Sequence, residues 1–149
     1  MADPLKIENG VSLTNVTQDV AKNLRAIEGR IFAAQNSYAS LSPNAPDVTL
    51  VAVSKRQPDA HIEAALAAGQ RVFGENRVQE AHTRWCVRRS NYQDLQLHLI
   101  GPLQTNKVAD AVALFDVIEV VDRPKLAYAL AKEMQRQKRN LPCFIQVNT

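Results

Sequence analysis

Apolar residues recur at helical spacing in the first long segment. Val16, Val20, Leu24, Ile27 and Ile31 form one face, with Lys22, Asn23, Arg25 and Glu28 on the other side. Pro43, Asn44 and Pro46 interrupt that pattern and predict a loop over Ser40–Asp47. The period then changes. Val48–Val53 is a short, β-branched apolar run without alternation, which predicts a strand covered on both faces. A helix follows, with Pro58 and Asp59 in its first turn, Ile62, Ala65 and Leu66 as its apolar stripe, and Gly69 at its end. Arg71–Phe73 predicts a second strand and Asn76–Arg89 a helix. Leu95–Ile100 is the third strand, followed by a helix from a Thr105 cap to Leu114. Val117–Val121 is the fourth, with Asp122 as the expected cap of a helix to about Gln137, and Leu141–Val147 is the fifth.

The strand starts at 48, 71, 95, 117 and 141 are separated by 23, 24, 22 and 24 residues. Strand and helix alternating at near-constant intervals mean successive βα units and a parallel sheet, hence an α/β fold. The first helix is extra to that repeat. Two architectures accept the pattern. Five parallel strands can form an open, doubly wound sheet, which 149 residues would complete. They can also be the first five units of a TIM-type (β/α)8 barrel, which needs about 250 residues.

Composition narrows the class without naming a function. A chain with 46% hydrophobic and 22% charged residues is expected to be a single globular domain over residues 1–149. No run approaches the ~18 apolar residues of a membrane span, and Met1–Lys6, with Asp3 and Pro4, does not read as a secretory signal. Cys86 and Cys143 have neither metal-ligand nor redox spacing, so a reduced, cytoplasmic protein is expected. A net charge of +3 is too small to argue for nucleic acid. The basic clusters Arg84, Arg88, Arg89 and Lys132, Arg136, Lys138, Arg139 read as solvated helix faces.

In both architectures ligands gather at the C-terminal ends of the strands. Lys55 stands where the first strand emerges. A desolvated lysine there could form a Schiff base with an aldehyde, although position alone favours an ordinary solvated lysine. Asn76 follows the second strand and reads equally as a hydrogen-bonding group for a ligand or as a turn residue. His98, within the third strand, reads first as a satisfied interior histidine. Gly101-Pro102 is a turn signal. Trp85 and Cys86 read as core or interface residues. There is no G-x-G-x-x-G, no P-loop, no zinc spacing and no G-x-S-x-G elbow.

Three segments in order are more specific than any one of these residues. They are Leu50-Val-Ala-Val-Ser-Lys55, Ala68-Gly-Gln-Arg-Val-Phe-Gly-Glu-Asn-Arg-Val-Gln-Glu80 and His98-Leu-Ile-Gly-Pro-Leu-Gln-Thr-Asn-Lys107. Together they closely resemble the pyridoxal 5'-phosphate (PLP) homeostasis family, across essentially all of residues 16–149. The resemblance implies an alanine-racemase-like, fold-type III barrel carrying PLP on a lysine. It implies a regulator of vitamin B6 balance without established turnover, rather than a PLP-dependent racemase or decarboxylase or a doubly wound module unrelated to PLP. Carried over by position, Lys55 matches the lysine that bonds PLP, Asn76 the asparagine of the family's Gly-Glu-Asn turn near the cofactor, and His98 part of its third-strand motif. No catalytic residue and no metal ligand is implied. Family members run on for roughly another 80 to 100 residues, to full barrel length, and that part holds the phosphate cradle. The chain therefore reads as a truncated, incomplete barrel. Weak or absent PLP binding is expected of it, and self-association through the exposed edges of its first and fifth strands.

Overall fold

The computed structural model describes residues 13–39, 46–147 and 149, which form two compact units. One unit comprises residues up to Leu50 together with Arg56–Gln70, and the other Val51–Lys55 together with Arg71–Thr149.

The first unit is a pair of helices. α1 spans Leu13–Ala39, and Val16, Val20, Leu24 and Ile31 of the expected stripe are half-buried, while Ile27 is 43% exposed. It packs against α2, Asp59–Ala67, whose Ile62, Ala64, Ala65 and Leu66 are buried. Gly69 ends α2 at φ +99, a backbone conformation that L side chains rarely adopt. That turn lets the Gly69 and Gln70 amides donate to Leu66 and Ala65, and Gln70 Nε2 then donates to the Leu50 carbonyl at 3.0 Å. Of the expected Ser40–Asp47 loop, residues 40–45 lie outside the described residues.

The second unit is built on a parallel sheet. Its strands are β1 (Ala52–Val53), β2 (Val72–Glu75), β3 (Gln96–Leu99), β4 (Val117–Val121) and β5 (Cys143–Ile145), in spatial order β1-β2-β3-β4-β5. Sequential order without reversal has no switch point, so the doubly wound alternative fails. The strands are successive units of part of a TIM-type barrel. The ladders are shorter than the apolar runs, because only the paired stretch of each run has a neighbour in register. β1 pairs through Ala52 and Val53 alone, against Phe73 and Gly74.

The helices of this unit are α3 (Val78–Asn91), α4 (Val108–Leu114), entered through a 3-10 turn at Thr105–Lys107, and α5 (Pro124–Gln137). Phe73 meets Trp85 of α3 with ring centroids 4.7 Å apart. Leu97, Leu99, Ile118, Val112 and Leu126 are all fully buried. Each such side chain contributes about 1.5–3 kcal/mol relative to exposure, so the core of this unit lies on the α3 face of the sheet.

Two capping expectations are corrected. Thr105 lies inside the 3-10 turn rather than before a helix and caps nothing. Asp122 does not cap α5 either, because its carboxylate engages the Arg123 guanidinium at 2.5 Å. Pro124 at the start of α5 lacks an amide hydrogen, which leaves one donor fewer to satisfy there. The basic clusters are also less solvated than expected. Arg89 donates to the Leu114 carbonyl and Asp116, and Arg139 to the carbonyls of Val112 and Ala113. They neutralise the C-terminal end of α4, not of their own helix. Trp85 is core as expected, whereas its neighbour Cys86 is exposed.

Candidate functional site

Strand pairing gives the sheet two faces with different chemistry. Val53 pairs with Gly74, Gly74 with His98, and His98 with Val117, which makes one continuous row across four strands. Neighbouring positions alternate faces. Phe73 and Glu75 reach Trp85 of α3, so the Val53–Gly74–His98–Val117 row belongs to the opposite face. Two places further along, beyond the last ladder pairs, come Lys55 after β1 and Asn76 after β2. Lys55 follows β1, Asn76 follows β2 and His98 lies within β3, so the residues singled out by sequence stand on neighbouring strands towards their C-terminal ends.

Each has a distinct environment. Lys55 is exposed, in the turn that ends β1. Arg56 follows it at φ 58, a left-handed conformation unusual for a residue with a Cβ. Asn76 is half-buried and its backbone touches the end of β3. A Cβ on Gly101 would fall 2.3 Å from the Asn76 carbonyl oxygen and 2.6 Å from its Cα, so glycine alone permits this approach. Gly101 is thus more than the turn signal it reads as in the sequence. His98 is buried, and its Nδ1 lies 2.6 Å from Glu119 Oε1 on β4. That contact fixes the orientation of the ring. Glu119, inside an apolar run, carries no local signal of this role; only strand register brings it to His98.

A cavity of about 540 Å3 opens at the ends of β2 and β3, lined by Asn76, Arg77, Val78, Gln79 and, from the other loop, Pro102 to Gln104 and Lys107. The second loop is braced from β4, since Arg123 Nη2 donates to the Leu103 carbonyl at 2.8 Å. Beneath it, on the α3 face, Glu75 is fully buried. Its Oε1 accepts from Ser54 Oγ at 2.8 Å, Arg84 Nη1 at 3.0 Å and Trp85 Nε1 at 3.0 Å. None of Ser54, Glu75 and Arg84 stands out in the sequence as a site residue, because their meeting depends on strand pairing and on the seat of α3.

The chain as a whole is similar to known proteins. The model of the alanine racemase N-terminal domain family matches residues 33–149. The chain belongs to that family. Curated relatives named pyridoxal phosphate homeostasis protein include one from Vibrio cholerae, 36% identical over 134 residues, covering 89% of this chain and 56% of the relative. Another, from Escherichia coli K12, is 37% identical over 135 residues, covering 87% of this chain and 55% of the relative. The chain thus spans about half the length of the curated relatives it matches. The solved structure of PipY from Synechococcus elongatus with PLP bound is 40% identical, with a TM-score of 0.68 over 87% of this chain and 54% of that one. A protein of unknown function from Bifidobacterium adolescentis, 24% identical with a TM-score of 0.74, shares the fold. The family's fold and the resemblance to PLP homeostasis proteins are both confirmed. No helix among the described residues is long and apolar enough to cross a membrane.

Proposed function

We propose that this chain is the N-terminal part of a cytoplasmic PLP-binding protein of vitamin B6 homeostasis, with Lys55 as the amine that receives the cofactor's aldehyde and no catalytic turnover of its own. What supports this reading is the succession of Lys55, Asn76 and His98 along neighbouring strand ends, in a chain so similar to PLP homeostasis proteins. The residues present fit the group. Lys55 offers an accessible amine, Asn76 a donor and an acceptor after the next strand, and His98 an imidazole whose ring Glu119 orients. When bound, PLP supplies an aldehyde and an electron-withdrawing ring. On this reading Lys55 anchors, while Asn76 and His98 orient.

The test is covalent trapping. The chain is incubated with millimolar PLP, reduced with borohydride, digested and mapped by mass spectrometry. The adduct is expected on Lys55 and lost in Lys55→Ala. An adduct confined to other lysines would refute the assignment, and turnover of amino acids by the PLP-loaded chain would restore the enzyme reading.

Self-association is proposed on a separate observation. β5 is an edge strand, and its neighbourhood leaves Phe144, Ile145 and Val147 58%, 82% and 75% exposed. Apolar side chains on an unpaired edge recruit another strand, here that of a second copy. The contact is expected to exceed the ~1,000 Å2 of a specific interface.

A further inference from the structure

On the reading of Lys55 as the aldehyde-binding amine, we propose that Glu75 is its positioning residue, acting through Ser54. Every polar group of Ser54 is tied down. Its amide donates to the Gly74 carbonyl at 3.0 Å. Its hydroxyl lies 2.8 Å from Glu75 Oε1 and 3.2 Å from the Gly74 carbonyl. Its own carbonyl accepts from Arg84 Nη1 at 2.7 Å. That carbonyl belongs to the peptide joining Ser54 to Lys55, so the same guanidinium that pairs with Glu75 fixes the plane from which the Lys55 backbone departs. Without these bonds, the two ladder residues of β1 would be a slender hold on the strand end.

The chemistry of Glu75 argues against a purely structural role. Its side chain is fully buried, and its Oε2 has no hydrogen-bond partner among the described residues. An unsatisfied buried oxygen is destabilising, and an apolar side chain of similar volume is often as good or better at such a position. What an apolar residue cannot do is receive Ser54, Arg84 and Trp85 at a single atom. That convergence locks the end of β1 to β2 and to α3. Lys55 itself is exposed on a flexible four-carbon stem, so the direction of its Cα is the only part of its reach that the protein can set in advance. A displacement of about 1 Å at such an anchor can change reactivity up to a hundredfold.

The experiment compares the wild-type chain with Ser54→Ala and Glu75→Gln. PLP is added, the Lys55 nitrogen bonds the aldehyde carbon with loss of water, and borohydride delivers hydride to that carbon to leave a stable secondary amine. Mass spectrometry reads the adduct on Lys55 against that on Lys132, an exposed lysine of α5 that serves as internal reference. Ser54→Ala removes one hydroxyl and should fold. It is expected to lower the Lys55:Lys132 ratio about fivefold, the scale of one lost hydrogen bond, with Glu75→Gln lowering it at least as far. Amide hydrogen exchange supplies a readout without PLP, and the amide at position 54, held to the Gly74 carbonyl at 3.0 Å, is expected to exchange faster in Ser54→Ala while those of β3 do not. A purely structural role would lower both labels together or neither. An unchanged ratio in Ser54→Ala, with wild type labelled on Lys55, overturns the positioning role and leaves the PLP reading intact. If wild type shows no Lys55 label, the PLP reading fails instead, and exchange then decides alone: an unchanged amide at position 54 in Ser54→Ala overturns the positioning role too.

Discussion

Replacing Gly101 by alanine tests whether the close approach of β3 to Asn76 shapes the site. The added Cβ would meet the Asn76 oxygen, Cα and carbonyl carbon at 2.3, 2.6 and 2.8 Å, where ordinary contact begins at 3.4 Å. All three are backbone atoms, so no rotamer change relieves the overlap, and one strand end must move by about 1 Å. Overpacking of this kind costs about 1–3 kcal/mol. For a chain of this size, each 1 kcal/mol lowers the melting midpoint by about 3 °C. Gly101→Ala is therefore expected to melt about 3–9 °C below wild type. Gly74 offers an internal comparison, because a Cβ there meets only the tips of Ile100 and Val51, at 2.9 and 3.1 Å, and these can turn aside. Gly29, within α1 and with nothing inside 4 Å, should respond with opposite sign. Alanine there gains about 0.8–1 kcal/mol of helix propensity. Thermal melts followed by circular dichroism and by the fluorescence of Trp85, the single tryptophan, read both variants. Trp85 reports the sheet unit in which it is buried. A Gly101→Ala chain that melts with wild type by fluorescence, with an unchanged PLP adduct on Lys55, would refute the claim that this glycine is required for the site's geometry.

Asp116→Ala is expected to lose about 2–3 kcal/mol in urea unfolding. It strands the Leu97 amide, held at 2.8 Å, and removes the carboxylate partner of the half-buried Arg89 guanidinium. Hydrogen bonds from Arg136 and then Gln137 hold the Glu133 carboxyl down from 4.5 to about 2. A lowered carboxylate pKa stabilises above the unfolded value, so this contribution is complete above pH 4.5 and is lost as pH falls towards 2. Glu133→Gln should flatten the acid dependence of the helical signal in that window. Burial pushes the Cys143 thiol up, so its alkylation at neutral pH should be slower than that of a free thiol, as timed by mass spectrometry. Ile145→Lys should shift the chain towards monomer in sedimentation at micromolar concentration. An unchanged assembly would show that β5 is not the contact.

Much of the fold is legible along the chain because its signals are local. The stripe from Val16 to Ile31 needs only the 3.6-residue period, and the five apolar runs at regular spacing need only alternation with helices to imply a parallel sheet. Even the edges of α2 are local, since Pro58 and Gly69 act through their own backbone. The motif around Lys55, Asn76 and His98 is likewise a linear pattern, and it led to the right family. Local signals stop where two elements must meet. The repeat alone accepted both a doubly wound sheet and a barrel segment, and strand order decided between them. Thr105 and Asp122 have the chemistry of caps, yet a 3-10 turn and an adjacent guanidinium took precedence. Arg84, Arg89 and Arg139 read as solvated charge, but packing brings them to Glu75, Asp116 and the open end of α4. Glu75, although part of the Gly-Glu-Asn motif, and Glu119 had no role readable from the sequence for the same reason. A carboxylate's role depends on which donors reach it, and its partners Ser54 and His98 lie 21 residues away along the chain in each case. Only the register of parallel strands, with α3 seated on one face, brings them within hydrogen-bonding distance.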